Sequence, residues 1–251
     1  MSKVYLTNIG ANTSDRSRAR CPVFANGSWI YVPFSYEEKG TNGYRAYPKV
    51  ARPHIRNMDG RNTHCDPDWT GLTYGDNCDN PRGRALRRVV EDDILLFWAL
   101  LWPNTGNSWT DFTGEQRWCF VGALRVREVL RPGQRPEDAK SSRVARAKQN
   151  VHFYRGQLDT GNYVFIGCTK HSRRFTKAVD LQVNNRAGLL YRTIHTASGG
   201  RLSLKGTPRW NTSLRASRAV WDLDIPKDRA RAKIARDAIL RQTGYDLLRD
   251  L

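Results

Sequence analysis

A short polar stretch between residues 64 and 76 concentrates the side chains best suited to chemistry. Imidazole, carboxylate and phenol groups can act as general acids or bases, hold a metal ion, or hydrogen-bond to the edge of a nucleic-acid base. If the chain is an enzyme, we predict that its catalytic residues are His64, Asp66, Asp68, Tyr74 and Asp76. The alternative is a turn-rich loop whose aspartates accept hydrogen bonds from neighbouring backbone N–H groups.

The spacing within this stretch matches no standard metal site. His64 and Cys65 stand near several aspartates, but a second Cys/His pair does not follow them. The sequence therefore predicts no metal ligands, and it leaves the cofactor unknown.

A second polar stretch follows the first predicted strand. Lys3 to Ile9 alternates and is rich in residues that favour strands, and it leads into the turn Gly10-Ala11-Asn12-Thr13-Ser14. Such a turn presents backbone N–H groups and hydroxyls to a phosphate or a base edge. The alternative is an ordinary exit from a strand, since the spacing is neither GxGxxG nor a P-loop. The nucleic-acid contacts predicted here are Asn8, Gly10, Asn12, Thr13 and Ser14.

The charge of the chain favours a polyanionic partner. The formal net charge is +18 and the sequence pI is near 10.2. Between Arg131 and Lys177, eleven Lys/Arg stand against three Asp/Glu, and aromatic residues are interleaved with them. Phosphate contacts beside stacked bases need this mixture, although a solvated basic face is the alternative. The further predicted nucleic-acid contacts are Arg82, Trp102, His152, Arg155, Arg173, Arg174, Arg215 and Arg218.

Composition limits the class of protein. The longest apolar run, Ile94 to Trp102, is far shorter than the roughly 20 residues that span a bilayer, so we expect no membrane partner. The five cysteines are widely spaced without a CxxC pair, which favours a reducing compartment, and the N-terminus lacks a signal-peptide pattern. These features predict a cytoplasmic protein and leave its oligomeric state open.

Strands dominate the predicted secondary structure. Ile94 to Leu101 is typical of a strand buried on both faces, and Trp118 to Val129 is its predicted hairpin partner. Residues 35–84 are predicted to form a long loop region, residues 137–150 a basic helix, and residues 227–242 a helix between Pro226 and Gly244. We predict an α+β fold: a curled, mostly antiparallel sheet or barrel with a few flanking helices. Residues 1–225 would form one domain, with a C-terminal helix, 226–251, packed on it.

Several motifs together resemble a known family. They are KVYLTNIGANTS, LTYGD followed by PR, EDDILLFWALLW leading to RWCFVGALRVREVL, then NVHFYRG and RWNTSLRASR. From about Lys3 to Trp221 the chain resembles the third type of nucleotide modification associated domain. The resemblance implies a role near modified DNA in phage or bacterial base-modification systems, without supplying a reaction.

The segment from Glu91 to Val129 is also similar to PUA/EVE-type domains. These are small curled barrels that hold a modified or flipped base in an aromatic pocket. Asp92-Asp93 stands here where those domains carry Gly-Asp, so the tight turn of the pattern is altered.

The leading hypothesis is a nucleic-acid-handling protein of a DNA base-modification system that binds or processes a modified base or nucleotide, with DNA as the expected partner. The alternative is a catalytic enzyme, a base-modifying transferase, glycosylase or nuclease, that uses the His64–Asp76 loop. A third reading is a structural subunit whose basic face meets an acidic protein. The leading hypothesis requires the Gly10–Ser14 turn and the His64–Asp76 loop to line one cavity beside a basic wall.

Overall fold

The structure is a computed structural model, and it describes residues 2–9, 20–36, 47–56, 62–80, 83–114, 116–154, 156–181 and 220–251. The strands are β1 (Lys3–Asn8), β2 (Cys21–Val23), β3 (Phe34–Tyr36), β4 (Asn62–His64), β5 (Thr73–Asn77), β6 (Ile94–Pro103), β7 (Arg117–Leu130), β8 (Phe153–Tyr154), β9 (Gln157–Leu158), β10 (Asn162–Gly167), β11 (Arg173–Asp180) and β12 (Val220–Asp222). The α-helices are α1 (Val144–Ala147) and α2 (Pro226–Thr243). Short 3-10 turns lie at Arg52–His54, Arg84–Arg88, Trp109–Asp111, Pro136–Asp138 and Ser141–Arg143.

An eight-stranded sheet forms the body of the molecule. Its order is β12-β1-β6-β7-β10-β5, with β11 paired to β7 and β2 paired to β6. β6 pairs in parallel with β1 and β2, and the other pairs of this sheet are antiparallel. The sheet curls into a half-barrel with few helices, which confirms the predicted α+β fold with a curled, mostly antiparallel sheet.

The central strand β6 is buried on both faces, as its continuous apolar run predicts. Alternate side chains enter two separate cores: Leu95, Phe97, Ala99 and Leu101 pack in one, and Ile94, Leu96, Trp98 and Leu100 pack in the other. Because side chains alternate across a strand, an apolar residue at every position needs a packed layer on each side. The antiparallel pairing of β6 with β7 confirms the predicted hairpin.

The turn before β6 is built around two adjacent aspartates. Asp92 has φ +70°, the left-handed region in which glycine is normally preferred. The buried Asp93 carboxylate accepts the backbone N–H of Val90 at 2.9 Å and that of Lys3 at 2.7 Å. The Asp-Asp pair thus forms a tight turn, and the hydrogen bonds of Asp93 connect the start of β1 to the start of β6.

The C-terminal helix α2 covers the second core. Ala232, Ala235 and Ile239 are fully buried beside residues of β1, β6 and β7. Pro226 lies in the first turn of the helix, and Gly244 ends it with φ +69° and an N–H that donates to the Leu240 carbonyl. The predicted helix is confirmed with its boundaries one residue wider at each end, whereas the division into domains at residue 225 stays a prediction.

The predicted basic helix at 137–150 is wrong. The segment forms two 3-10 turns followed by the single helical turn of α1. The Glu128 carboxylate accepts the Lys140 backbone N–H and the Arg143 guanidinium, both at 3.0 Å. These contacts with β7 hold the chain in short turns, so tertiary contacts override its local helix preference.

The predicted loop region at 35–84 is only partly correct, because it contains β3, β4 and β5. The sequence of β5, TYGDN, holds Gly, Asp and Asn, which are depleted in strands. β5 forms nevertheless because β10 pairs with it along its length, from Asn77 opposite Asn162 to Thr73 opposite Ile166. Within the described residues, neither helix combines the length and apolar character needed to cross a membrane.

Candidate active site

The strand β5 is the last strand along the main sheet: β10 pairs with one of its edges, and the other edge carries an isolated bridge between Thr73 and Asp68. On its other side the Gly75 N–H donates to both oxygens of the Asp66 carboxylate, at 3.0 Å and 2.9 Å. Asp66 is 4% exposed, and its own carbonyl accepts the Tyr31 hydroxyl at 2.8 Å. The carboxylate therefore satisfies a backbone donor that an edge strand would otherwise leave to water.

A tight turn brings Asp66 beside Gly75. Asp68 and Thr73 exchange two backbone hydrogen bonds, at 2.9 Å and 3.1 Å. The Asp68 carboxylate accepts the N–H groups of Thr70 and Gly71, at 3.0 Å and 3.1 Å. Asp68 thus accepts hydrogen bonds from neighbouring backbone N–H groups, as expected if this stretch is a turn-rich loop. A catalytic role for Asp68 stays a prediction.

The imidazole of His152 lies directly over Gly75. A Cβ atom at position 75 would lie 2.1 Å from His152 Cδ2, so a residue with a side chain would displace the ring. His152 Nε2 lies 3.0 Å from Asp66 Oδ2. Asn150 fixes this segment, because its side chain accepts the His152 backbone N–H at 3.0 Å and donates to Thr73 Oγ1 at 3.0 Å.

A second imidazole completes the arrangement. The rings of His64 and His152 meet edge to face, with centroids 4.9 Å apart and planes at 86°. One nitrogen of each ring and one oxygen of Asp66 all lie within 4.8 Å of one another. Two imidazoles and a carboxylate at these separations can serve together as metal ligands, which the sequence spacing does not indicate.

Burial controls the ionisation of these groups. It raises the pKa of Asp66 to about 6, although the hydrogen bond to His152 opposes the shift. Burial alone lowers the pKa of His152, but the hydrogen bond and charge of Asp66, with the charge of Asp76, outweigh it and raise the pKa. Burial and the neighbouring charge of His152 hold the pKa of His64 well below its ordinary value, so this ring is neutral at neutral pH.

Tyr74 and Asp76 lie beside this arrangement on β5, and Tyr74 belongs to the core that contains Phe97. They lie two positions apart on the same face of β5, and the Tyr74 hydroxyl donates to Asp76 Oδ2 at 3.1 Å. The Tyr74 ring packs edge to face on Phe97, with centroids 5.2 Å apart. Burial raises the pKa of Asp76 and holds that of Tyr74 well above its ordinary value.

We refer to His64, Asp66, Tyr74, Asp76 and His152 as the polar centre. Its first four members come from the predicted catalytic stretch, and the fifth was predicted as a nucleic-acid contact. Sequence reasoning missed the pair formed by Asp66 and His152, which are 86 positions apart. It also missed Asn150, which holds the His152 turn against β5. The glycine within TYGD was the available clue, since a glycine inside a strand often marks a close approach by another group.

The predicted contacts near the N-terminus are only partly described. Asn8 is the last residue of β1 and lies opposite Trp98 of β6. The next residue, Ile9, donates to the Trp98 carbonyl at 3.2 Å, and Cys21 lies opposite Leu101. Both described ends of the segment between them therefore lie along β6. The predicted contacts outside the described residues are Gly10, Asn12, Thr13, Ser14, Arg82, Arg155, Arg215 and Arg218, so a shared cavity with the His64–Asp76 loop stays a prediction.

Trp102 belongs to a half-buried aromatic group at the end of β6. The Arg20 guanidinium carbon lies 4.1 Å from the Trp102 ring centroid, 4.7 Å from that of Trp109 and 5.5 Å from that of Phe112. We refer to these four residues as the aromatic cluster. Cation–π contacts of this kind hold the rings in place beside a positive charge.

The two predicted arginines of β11 have different neighbours. The Arg173 guanidinium carbon lies 5.1 Å from the Tyr245 ring centroid. That of Arg174 lies 4.8 Å from the Trp29 ring centroid, and Arg174 also donates to the Trp29 carbonyl at 3.2 Å. Both residues are exposed, so both retain access to solvent and to phosphate.

A family model decides the classification. The model of nucleotide modification associated domain 3 matches residues 3–222. The chain belongs to this family. The family name links the chain to nucleotide modification, as the sequence resemblance predicts, and the matched range contains the polar centre and the aromatic cluster. No curated protein and no solved structure gives a significant match to this nucleotide modification associated domain, and the similarity to PUA/EVE-type domains stays a prediction.

Proposed function

We propose that the chain is an enzyme of nucleic-acid modification and that its chemistry takes place at the polar centre. The observation that carries this proposal is the convergence of two imidazoles and the Asp66 carboxylate from β4, the turn that follows it and the turn before β8. The hydrogen-bonded pair of Tyr74 and Asp76 lies on the adjacent strand β5, and the charge of Asp76 acts on Asp66 and His152. Burying ionisable groups costs free energy. The Asp66 carboxylate alone would satisfy the Gly75 N–H at the edge of β5, so that contact does not explain the other ionisable groups. Clusters of this kind are typical of functional sites.

Access to solvent suggests how the roles divide. His64, Asp76 and His152 retain partial exposure, whereas Asp66 is buried. Substrate would therefore contact these three residues, while Asp66 and Gly75 hold the His152 ring in place. Tyr74 donates to Asp76 and would keep that carboxylate oriented toward the substrate.

The substrate we propose is nucleic acid, with DNA as the partner. The net charge of +18 and the family name support this assignment. Arg173 and Arg174 are exposed cations that would contact phosphate. Trp102 would stack on an unpaired or flipped base, since Arg20 already holds its ring in the aromatic cluster.

A reader that binds a modified base without changing it is the second candidate function. The aromatic cluster is the observation that favours it, because stacking needs aromatic faces and positive charge without catalytic groups. The two functions differ in what the polar centre contributes, since a reader needs it only for binding or for the fold.

The experiment compares the purified wild-type protein with Asp76→Asn. Each is incubated with single-stranded and duplex DNA, unmodified or carrying hydroxymethylated pyrimidines, in a bacterial extract that supplies co-substrates. Nucleoside mass spectrometry and denaturing gels report base changes and strand cleavage. We expect the wild-type protein to alter one of these DNAs, and Asp76→Asn to lose the activity by orders of magnitude while its DNA affinity changes little.

Binding measured in parallel separates the alternatives. Affinity should fall steeply with salt, because phosphate contacts release counterions. Salt-independent binding would contradict a nucleic-acid partner. Unchanged DNA in every reaction, together with salt-dependent binding by both proteins, would favour the reader over the enzyme.

A further inference from the structure

We propose that the polar centre binds one divalent transition-metal ion through His64, Asp66 and His152. Binding of the ion can be measured without any substrate. Only its catalytic meaning rests on the proposed function.

The separations between the ligand atoms suit a single ion. Zinc lies about 2.0–2.2 Å from the nitrogen and oxygen atoms of its protein ligands, so two ligands at a right angle are about 3 Å apart. The 3.0 Å between His152 Nε2 and Asp66 Oδ2 has this value. The three ligand atoms lie within 4.8 Å of one another, and a tetrahedral angle corresponds to about 3.4 Å. A contraction of up to about 1.4 Å, within the range of a small side-chain rotation, would bring all three onto one ion.

The surroundings orient the ligands as metal sites require. Ligating histidines and carboxylates in proteins are held by further hydrogen bonds that fix their direction. The Asp66 carboxylate accepts the Gly75 N–H. Asn150 fixes the backbone of His152. These contacts exist without an ion, so the site is preorganised.

The chemistry of the ligand set indicates the kind of ion. Two imidazoles and one carboxylate suit Zn²⁺, Fe²⁺ or Mn²⁺, whereas Mg²⁺ and Ca²⁺ prefer oxygen ligands throughout. Three protein ligands leave a coordination position for water or substrate, which distinguishes catalytic sites from closed structural ones. Asp76, on the neighbouring strand β5, would be able to exchange a proton with a bound water.

The chain offers a matched control for this site. His171 and Asp250 also form a histidine–aspartate pair, with Nε2 3.4 Å from Oδ2. Within the part of the chain that the structure describes, the His64, Asp66 and His152 group is the one in which three such side chains converge. A histidine–aspartate pair alone should bind transition metals weakly, so His171→Ala should leave the high-affinity site intact.

The test titrates metal-stripped protein with Zn²⁺, Mn²⁺ or Mg²⁺ by calorimetry and follows Co²⁺ binding by its visible absorption. We expect one transition-metal ion per chain, little or no Mg²⁺ binding, and a Co²⁺ spectrum typical of nitrogen and oxygen ligands. Asp66→Asn, His152→Ala and His64→Ala should each weaken binding roughly 100-fold, while His171→Ala should change it less than about threefold.

Because His64 is partly exposed, His64→Ala tests the inference even if a variant at a buried position fails to fold. Circular dichroism and thermal unfolding identify folded variants, and His64→Ala removes a ligand without disturbing the bonds of Asp66 to Gly75. Failure of the stripped wild-type protein to bind any of these ions would overturn the inference. Equal binding by folded His64→Ala and wild type would overturn it as well. Neither result depends on DNA, so the proposed function would be judged separately by its own experiment.

Discussion

Two glycines inside strands accommodate a ring from elsewhere in the chain, but in contrasting regions. A Cβ at Gly75 would lie 2.1 Å from His152 Cδ2, and a Cβ at Gly122 would lie 2.2 Å from Trp69 Cη2. Gly122 lies in the middle of the sheet on β7, and the ring above it packs on Phe97 in an apolar core. Gly75 lies on the last strand, where the ring above it meets a carboxylate.

The difference shows that the position of such a glycine in the sheet decides which groups can surround the ring packed over it. At a central strand both backbone edges are paired, so an inserted ring is surrounded by apolar side chains. At the last strand a backbone N–H remains available, and the Asp66 carboxylate that takes it can also hold an imidazole. An edge strand therefore supports buried polar groups that the centre of the sheet would not satisfy.

The largest expected effect separates the two glycines. Gly75→Ala should displace the His152 ring from Asp66 and lower transition-metal affinity roughly 100-fold. Gly122→Ala should lower the free energy of unfolding by about 1–3 kcal/mol through overpacking and leave metal affinity near its wild-type value. Urea unfolding and calorimetric titration measure the two quantities. If both variants lost metal affinity equally, the loss would result from lower stability of the sheet and not from displacement of the His152 ring.

A second pair of variants compares two buried carboxylates. Asp66 and Asp93 both accept backbone N–H groups, but none of the described hydrogen bonds of Asp93 involves a histidine. Asp66→Asn and Asp93→Asn should each cost about 1–3 kcal/mol of stability, because each weakens hydrogen bonds to a buried carboxylate. Only Asp66→Asn should also abolish the modification of DNA measured by nucleoside mass spectrometry. Retained modification in that variant would confine Asp66 to a structural role.

The centre of the fold is predictable from sequence because its pattern is local. The run from Ile94 to Leu101 is apolar at every position, so a strand buried on both faces follows from composition. Pro226 and Gly244 mark the ends of α2 in the same local way. The residue types from Trp29 to Phe34, in contrast, favour a strand, but Trp29 forms an isolated bridge and only Phe34 joins a strand, at the start of β3. There the Trp29 indole N–H bonds to the Phe175 carbonyl, a contact 146 positions away.

The candidate site was predictable only in part, for the same reason. His64, Asp66, Tyr74 and Asp76 stand in one short stretch, and their residue types alone predict chemistry. His152 joins them through a contact across 86 positions, which no spacing rule contains. The strand β5 was not predicted because its glycine and polar residues oppose strand formation locally. Gly75 instead provides the space for His152.

An intermediate effect compares two tryptophans of β6. Trp102 is half-buried in the aromatic cluster, whereas Trp98 is 2% exposed in the core beneath α2. Trp102→Ala should weaken binding of single-stranded DNA by about 1–3 kcal/mol if its ring stacks on a base. Trp98→Ala should cost about 3–5 kcal/mol of stability. Fluorescence anisotropy with a labelled oligonucleotide measures the first quantity and urea unfolding the second. Unchanged affinity in folded Trp102→Ala would exclude the cluster as a stacking surface.

The smallest expected effect distinguishes two neighbouring arginines of β11. Arg174 is tied to Trp29 by a ring contact and by a hydrogen bond to its carbonyl, whereas the described contact of Arg173 is with the Tyr245 ring. A side chain held by fewer contacts reorients more readily toward phosphate. Arg173→Gln should therefore weaken DNA binding a few-fold and reduce the slope of log affinity against log salt by about 1, the value for one phosphate contact. Arg174→Gln should mainly lower stability, by about 1 kcal/mol, through the lost hydrogen bond. Salt titrations of both variants measure this slope. An equal change in slope would mean that Arg174 contacts phosphate as readily as Arg173 despite its contacts with Trp29.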